Sequence, residues 1–394
     1  MGSLIDNFIT GDPLGYSNVN FEYNLKEYVF NSIFLLLKDV YDNEELLKLE
    51  LESIFERIIQ VYFKKYYPPR SYETTFVRNT NIDKHRLKDL IANKIVNIEN
   101  KPQPEQRTAD WYKFRHNLIT ASSGWKVFKS QSTINQLIVE KCKELDVSKF
   151  DSINTNTPMH HGNKYEDVSI MLYESIYKTK IKDYGCIQHE KYKFIGASPD
   201  GIVIDSDSSR YGRMLEIKNP TTRELTGIPK EDYWIQMQLQ METCNLNECD
   251  FLETVFKEYD SKEEFMEDGT FTYTKKDELK GVIIYFIKEG KPLYEYMPLY
   301  MTETEFVIWE EDIMDKYTNL TWIKNIYWRM EDYSCVLVLR NKLWFQYAVS
   351  KIENVWKMIE DARENGYKHR LPKKQNRGSR SNSITDTTEQ IENK

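Results

Sequence analysis

Residues 196–218 read Gly196-Ala-Ser-Pro-Asp200-Gly-Ile-Val-Ile-Asp205-Ser-Asp-Ser-Ser-Arg210-Tyr-Gly-Arg-Met-Leu215-Glu-Ile-Lys218. A Pro-Asp-Gly turn and Gly212 punctuate short apolar runs, so the stretch reads as strands folded back beside one another. Along Leu215-Glu-Ile-Lys218 the side chains alternate: Glu216 and Lys218 share one face, Leu215 and Ile217 the other. Asp200 opens the neighbouring strand. Two carboxylates brought together this way repel unless a cation lies between them. Mg²⁺ or Mn²⁺, hard and oxygen-seeking, is the natural resident, and with an adjacent lysine the set suits hydrolysis of a phosphodiester. A lone Glu-x-Lys is usually a solvated ion pair and a lone Pro-Asp-Gly merely a turn. Their order, their proximity and the apolar frame around them favour the catalytic reading.

Outward from this stretch, apolar and alternating segments at 187–190, 193–197, 202–204 and 214–217 read as adjacent strands of one sheet, joined by further strands at 250–257 and 281–287. Residues 133–145 and 163–178 read as helices. So does 231–243, where strong helix formers dominate and a strand would have to be unusually long. Glu166 falls on the helical face that meets the sheet, with Asp167 turned away by about 100°. The acidic stretch 258–267 reads as a surface loop or hairpin tip.

Residues 1–100 form a helical N-terminal domain: apolar residues from Tyr28 to Val61 recur at three- and four-residue spacing, Asp42-Asn43 marks a break, and Tyr67-Pro-Pro ends the run. A proline-bearing connector, 101–107, leads to a capped helix start at Thr108. The catalytic core is expected over 101–300, a helical C-terminal extension over 301–367 with a long helix from 340 to 364, and a tail over 368–394. The tail is basic and then polar; Lys368, Arg370, Lys373, Lys374, Arg377 and Arg380 fall within 368–380 without an acid, and the tail reads as disordered chain.

Composition bounds the function. Hydrophobic residues at 40% and charged residues at 29% describe a globular chain with a core, and no apolar run reaches the ~18 residues of a membrane span. Five cysteines without a Cys-x-x-Cys pair argue for free thiols and against a zinc site. The expectation is an intracellular protein that is not secreted. A formal charge of −8 speaks against nucleic acid only on average, because binding depends on where the charges lie.

The ordered series Trp111-x-x-x-Arg115, Ile119-Thr-Ala-Ser122, Gly162-x-x-Tyr-Glu166, Ser198-Pro-Asp200-Gly, Leu215-Glu-Ile-Lys218 and Gln236-x-Gln238 resembles the lambda-exonuclease-like, YqaJ-type viral recombinase nucleases, within the restriction-endonuclease-like fold. The motifs span 105–260. The lead-in Gln-Pro-Glu-Gln-Arg107 and the stretch from Tyr333 to Arg340 look like members encoded by large DNA viruses. The resemblance implies an α/β or α+β core, a central mixed sheet flanked by helices. It implies a metal-dependent DNA nuclease, a 5′-to-3′ double-strand exonuclease first and a nicking or structure-selective endonuclease second. Asp200, Glu216 and the Ile217 carbonyl would hold Mg²⁺ or Mn²⁺, Glu166 would hold a second ion or its water, Lys218 would position the nucleophile and Gln236 would lie beside it, with Gln238 the weaker of the pair. Arg115 and Ser122 match the positions that bind a 5′-terminal phosphate. Read from the residues alone, spacing favours a surface ion pair for Arg115, Trp111 and Trp125 are core, and His116, His160 and His161 are structural or phosphate-adjacent. The resemblance also implies DNA ends as partner, a single-strand annealing or recombination protein as a second partner, action in the cytoplasm or nucleus of a host cell, and leaves a homo-oligomer open. A non-catalytic DNA-binding protein on the same fold would have lost a ligand, and Glu166, Asp200, Glu216 and Lys218 are all present. Two departures stand out: the 205–213 loop is long, which would alter substrate access, and Asn219 stands where many relatives carry Cys.

Overall fold

The computed structural model describes residues 1–73, 84–146, 154–155 and 157–372. Its helices are α1 (Gly2–Gly11), α2 (Phe21–Leu37), α3 (Glu44–Lys65), α4 (Lys84–Glu99), α5 (Ala109–His116), α6 (Ala121–Gly124), α7 (Gln131–Cys142), α8 (Pro158–Tyr177), α9 (Glu231–Cys244), α10 (Lys262–Glu267), α11 (Glu303–Lys316) and α12 (Lys342–Asn365). Its strands are β1 (Ile119–Thr120), β2 (Ile181–Lys182), β3 (Ile187–Gln188), β4 (Ile195–Ala197), β5 (Gly201–Val203), β6 (Met214–Lys218), β7 (Glu248–Glu258), β8 (Lys280–Lys288), β9 (Lys291–Tyr296) and β10 (Thr321–Leu339). No helix among the described residues is long and apolar enough to cross a membrane.

A seven-stranded mixed sheet runs in the order β2-β5-β6-β7-β10-β8-β9, and a smaller sheet runs β1-β4-β3. In the large sheet β6 and β7 are parallel, and α9 is the crossover between them, as a parallel pair requires. Every residue of α9 from Met237 to Cys244 is buried, which accounts for the mixed period of its sequence: a helix covered on all sides has no polar stripe. Glu231 and Asp232 occupy its first turn, where the helix dipole favours acids.

Helix α8 begins before the expected position. Thr157 accepts a hydrogen bond from the His160 amide and Pro158 takes the first helical position, a start signal that outranks the Gly162-Asn163 pair inside the helix. The acidic 258–267 stretch holds the short helix α10, capped by Ser261.

The largest difference from the sequence reading lies in the C-terminal region. Residues 321–339, expected within a helical extension, are a nineteen-residue strand at the heart of the large sheet. Its second half pairs with β7 and its first half with β8, with register shifts at Trp322/Lys324 and Met330/Asp332. Only half-buried, it carries charges that hide its alternation, yet Trp322, Ile323, Ile326, Tyr327 and Trp328 are typical strand residues. The long helix was read correctly: α12 starts at the Asn341 cap, and eight of its residues are buried.

The described residues of the N-terminal hundred are mostly helical and share the main core with the sheet layers: Ile5, Tyr16, Phe21 and Val29 belong to the same buried cluster as Trp234, Phe251 and Ile352. Arg70 is the joint. It is 1% exposed, and its guanidinium donates to the carbonyls of Tyr16 (3.0 Å), Ser17 (3.1 Å) and Pro229 (2.9 Å), while its own carbonyl accepts from the Trp234 indole at 3.0 Å. Arg70→Ala strands three carbonyls and removes a buried side chain, so a loss of about 3–5 kcal/mol is expected. Denaturant unfolding should show it; a change below about 1 kcal/mol would rule out Arg70 as the joint.

The long 205–213 loop is anchored through its second half. Arg210 and Arg213 are buried and converge on the Asp250 carboxylate, Arg213 also donating to Glu248 at 3.1 Å. Gly212 (φ 75°) lies against α4, where a Cβ would come within 2.3 Å of Ile91 Cγ2. The loop thereby pins β7 and α4. Of the basic tail, Lys368 and Arg370 lie in a short 3₁₀ turn; Lys373, Lys374, Arg377 and Arg380 lie outside the described residues.

Candidate active site

Strands β5 and β6 pair antiparallel with Gly201 opposite Leu215, so Asp200 arrives beside the end of β6. Its Oδ2 accepts from the Ile217 amide at 2.7 Å, which fixes the carboxylate at the strand edge. Glu216, 0% exposed, faces α9. Its Oε1 accepts from Gln236 Nε2 at 2.6 Å and from the Lys218 ammonium, and its Oε2 accepts from Gln240 Nε2 at 2.6 Å. Gln236 therefore belongs to the site. Gln238 does not: on the opposite side of α9, it donates to the Leu339 carbonyl (3.0 Å) and accepts from the Asn341 amide (2.7 Å), fixing the corner between β10 and α12.

Gln240 is the residue that sequence reasoning missed. It lies one helical turn after Gln236, and that i,i+4 relation places both amides over the same carboxylate once α9 is known to cover β6. Its Oε1 is buried without a hydrogen-bond partner. Gln240→Leu should cost about 10–100-fold in kcat while the fold is retained, the usual effect of removing a group that orients a ligand. Full activity in a folded variant would assign Gln240 to packing alone.

Burial pushes the Asp200 carboxyl well above the usual range, and the nearby charges of Glu216 and Glu166 push it further; Lys218 and the Ile217 amide oppose the shift. Lys218 is raised: burial works against its ammonium, but Glu216 and Asp200 outweigh it. Glu166 on α8 accepts from Arg107 Nη2 at 2.9 Å, and its carboxyl is also raised, by burial first and by Asp167 and Glu216 among its neighbours. Asp167 turns to Tyr296 and not into the site. Asn219, the departure at the end of β6, ties strand to helix: it donates to the Gly162 carbonyl at 2.9 Å and accepts from Ser169 at 2.8 Å. Glu166, Asp200, Ile217 and Lys218 line a cavity of about 580 Å³ together with Arg223, Lys230 and Tyr233. Among the described residues no three His, Cys, Asp or Glu side chains are grouped closely enough to hold an ion between them. Any cation here would take carboxylates and backbone oxygen together.

A second site adjoins. Arg115 Nη1 donates to Ser198 Oγ at 3.1 Å and Nη2 to Ser122 Oγ at 2.9 Å, and the guanidinium lies 4.2 Å from the Trp111 ring centre. Trp111 Nε1 also donates to Ser198 Oγ, at 3.3 Å, so this tryptophan orients the arginine and is more than core filling. The donors of Arg115 go to hydroxyls, not to a carboxylate, which sets aside the surface ion pair. Arg115 and Ser122 line a cavity of about 1040 Å³ with Lys126, Lys141, Lys143 and Arg370. Burial pulls Lys141 down to about 8, with Arg115 and Lys126 adding to the shift against Glu140. Glu140, Glu144 and Asp146 also line the cavity, with Glu140 paired to Lys126 at 2.8 Å, so the anion site is the Arg115 end, where the guanidinium meets hydroxyls. His160 and His161 are structural, His160 Nε2 bonding the Tyr294 hydroxyl at 2.6 Å and the His161 ring packing on Tyr165, whereas His116 lines the cavity beside Arg115.

Comparison with known proteins agrees with the motif series. Residues 110–247 match the model of the YqaJ-like viral recombinase domain. An uncharacterized protein of Acanthamoeba polyphaga mimivirus is 30% identical over 333 residues, 74% of this chain and 57% of that relative. The chain thus spans little more than half of that relative's length. Among solved structures, the alkaline exonuclease LHK-Exo of Laribacter hongkongensis is similar at 19% identity, over 66% of this chain and 95% of its own, with a TM-score of 0.38; its complex with dAMP gives 0.39. Residues 110–247, from α5 to the end of α9 and including every candidate site residue, are thus similar to the YqaJ-like viral recombinase domain.

Proposed function

We propose that the protein is a metal-dependent DNA nuclease that degrades duplex ends from 5′ to 3′. One observation carries the reading: Ser198, which accepts from Arg115, stands two residues from Asp200, so the guanidinium is tethered close to the carboxylate pair. Two residues span at most roughly 7 Å, and a terminal phosphate held by Arg115 and Ser122 would present the next phosphodiester to Asp200 and Glu216.

A hard divalent cation fits the donors. Half-buried Asp200 and buried Glu216 stand at the paired ends of β5 and β6, burial and then the charges of Glu216 and Glu166 raise the proton affinity of Asp200, and the cavity lining brings neither a thiol nor an imidazole. Asp200, Glu216 and the Ile217 carbonyl would hold Mg²⁺ or Mn²⁺, and Glu166 a second ion or its water; the ion would neutralise the pair and acidify a water. Lys218 carries the positive charge that meets the phosphate as negative charge grows on it. Gln236 and Gln240 keep the Glu216 carboxylate oriented. Trp111 holds Arg115 and Ser198 in place for the end phosphate.

A closed circular plasmid separates this reading from an endonuclease. With Mg²⁺ the circle should survive, while the same plasmid cut once is consumed from its ends. Fragmentation of the intact circle would remove the end-dependent reading.

A further inference from the structure

Glu253 in β7 is 0% exposed, and the parallel register places it opposite Lys218. Residues paired across a parallel ladder project to the same face, so Glu253 stands on the face of Glu216 and Lys218, the one covered by α9. Tyr233 of α9 confirms the placement: its ring lies 5.6 Å from that of Phe251, two residues before Glu253. A carboxylate with no exposure is costly unless paired. Its partner is Arg223, in the loop after β6, whose Nη2 donates to Glu253 Oε1; Oε2 is buried without a partner.

Arg223 lies over the Tyr233 ring at 5.7 Å, and the Lys218 ammonium lies 5.2 Å from the centre of the same ring. Its side chain keeps 21% of its exposure and lines the 580 Å³ cavity with Glu166, Asp200, Lys218 and Lys230. The arginine is therefore tied to a buried carboxylate on one side and open to the cleft on the other. Ordinary surface ion pairs do not bury their acid completely. The cleft also needs cations: Glu166 and Asp200 line it, Lys218 is spent on the buried Glu216, and the chain's formal charge is −8. A DNA strand meets repulsion there unless fixed positive groups stand at its phosphates.

We propose that Arg223, locked by Glu253 and Tyr233, grips a phosphodiester of the strand being cut, beside the carboxylate pair. The assignment rests on the nuclease reading and deepens it. A guanidinium suits the task because its planar fork can serve the carboxylate and a phosphate at once, which a lysine cannot. Arg223 would touch the substrate; Glu253 acts through Arg223 as a positioning residue.

The test is binding of a 5′-phosphorylated DNA duplex in chelator, as a function of salt between about 50 and 200 mM. Arg223→Ala should make the slope of log affinity against log salt shallower by about 0.9, the signature of one lost phosphate contact. With Mg²⁺ restored, KM should rise more than kcat falls. Because alanine strands the buried Glu253 charge, Arg223→Ala combined with Glu253→Gln gives the same reading in a chain with no orphaned ion. Arg223→Lys should keep the slope and weaken affinity, and Glu253→Gln alone should weaken affinity less than Arg223→Ala. A wild-type slope in natively folded Arg223→Ala, or in the double variant, overturns the assignment. Binding in chelator needs no turnover, so a wild-type protein that binds but never cuts would sink the nuclease reading and leave the slope comparison standing.

Discussion

Asp200→Asn should abolish Mg²⁺-dependent cleavage, by about 10³-fold or more, in a protein at least as stable as the wild type without metal. The expectation has two parts because Asp200 has two roles. Its Oδ2 accepts from the Ile217 amide, a bond the Asn carbonyl oxygen can keep. Its charge repels Glu216 and Glu166 in a buried place, and removing it relieves the folded state. Thermal unfolding separates the two. Wild-type protein should gain stability as Mg²⁺ is added, because a ligand bound only by the native state shifts the equilibrium; Asp200→Asn should not. Undiminished turnover in the variant, or an equal metal-induced shift, would remove Asp200 from the metal site. Glu216→Gln should follow the same pattern in activity, although the buried amide would then meet the donors of Gln236, Gln240 and Lys218 with one acceptor fewer.

Arg115→Ala should erase the preference for a 5′-phosphorylated end. Two charge-assisted hydrogen bonds to a phosphate, at ~1.5–3 kcal/mol each, correspond to a preference of roughly 10²-fold or more. The measurement is the initial rate on one duplex carrying a 5′-phosphate or a 5′-hydroxyl. The variant should treat both ends alike, losing rate on the phosphorylated end. Arg115→Lys should fall between, since it keeps a charge but cannot serve Ser198 and Ser122 as a fork while lying flat on Trp111. A preference that survives Arg115→Ala would move the end-binding site elsewhere in the 1040 Å³ cavity, to Lys126, Lys143 or Arg370.

The centre of the site was legible because it is local. Asp200, Glu216 and Lys218 are fixed by a turn and a two-residue period, and both survive in the sequence as pattern. Gln236 came with the motif series. Gln240 did not, because an amide on a fully buried helix looks like any other core-helix polar residue until the face it covers is known. Glu253 was hidden for a similar reason: its place opposite Lys218 is set by a register between strands some thirty residues apart.

The fold shows the same division between local and distant information. Helices α3, α9 and α12, with their caps or acidic first turns, were readable. Strand β10 was not, since its pairing with β7 and β8 is non-local and its half-exposed surface carries Lys324, Arg329, Glu331 and Asp332 among the aromatics. A boundary near residue 100 was plausible from composition, yet the N-terminal helices share a core with α9 through Tyr16, Arg70 and Trp234. Nothing in the local sequence around Arg70 announces that it will reach Pro229.

The most direct measurement is digestion of a linear duplex labelled separately in each strand, with each 5′ end phosphorylated or blocked, in Mg²⁺ and in chelator. The expected result is loss of label from phosphorylated 5′ ends only, proceeding inward along that strand, and none in chelator. Cutting that persists in chelator, or that begins equally at blocked ends, would contradict a metal-dependent nuclease that selects its end through Arg115.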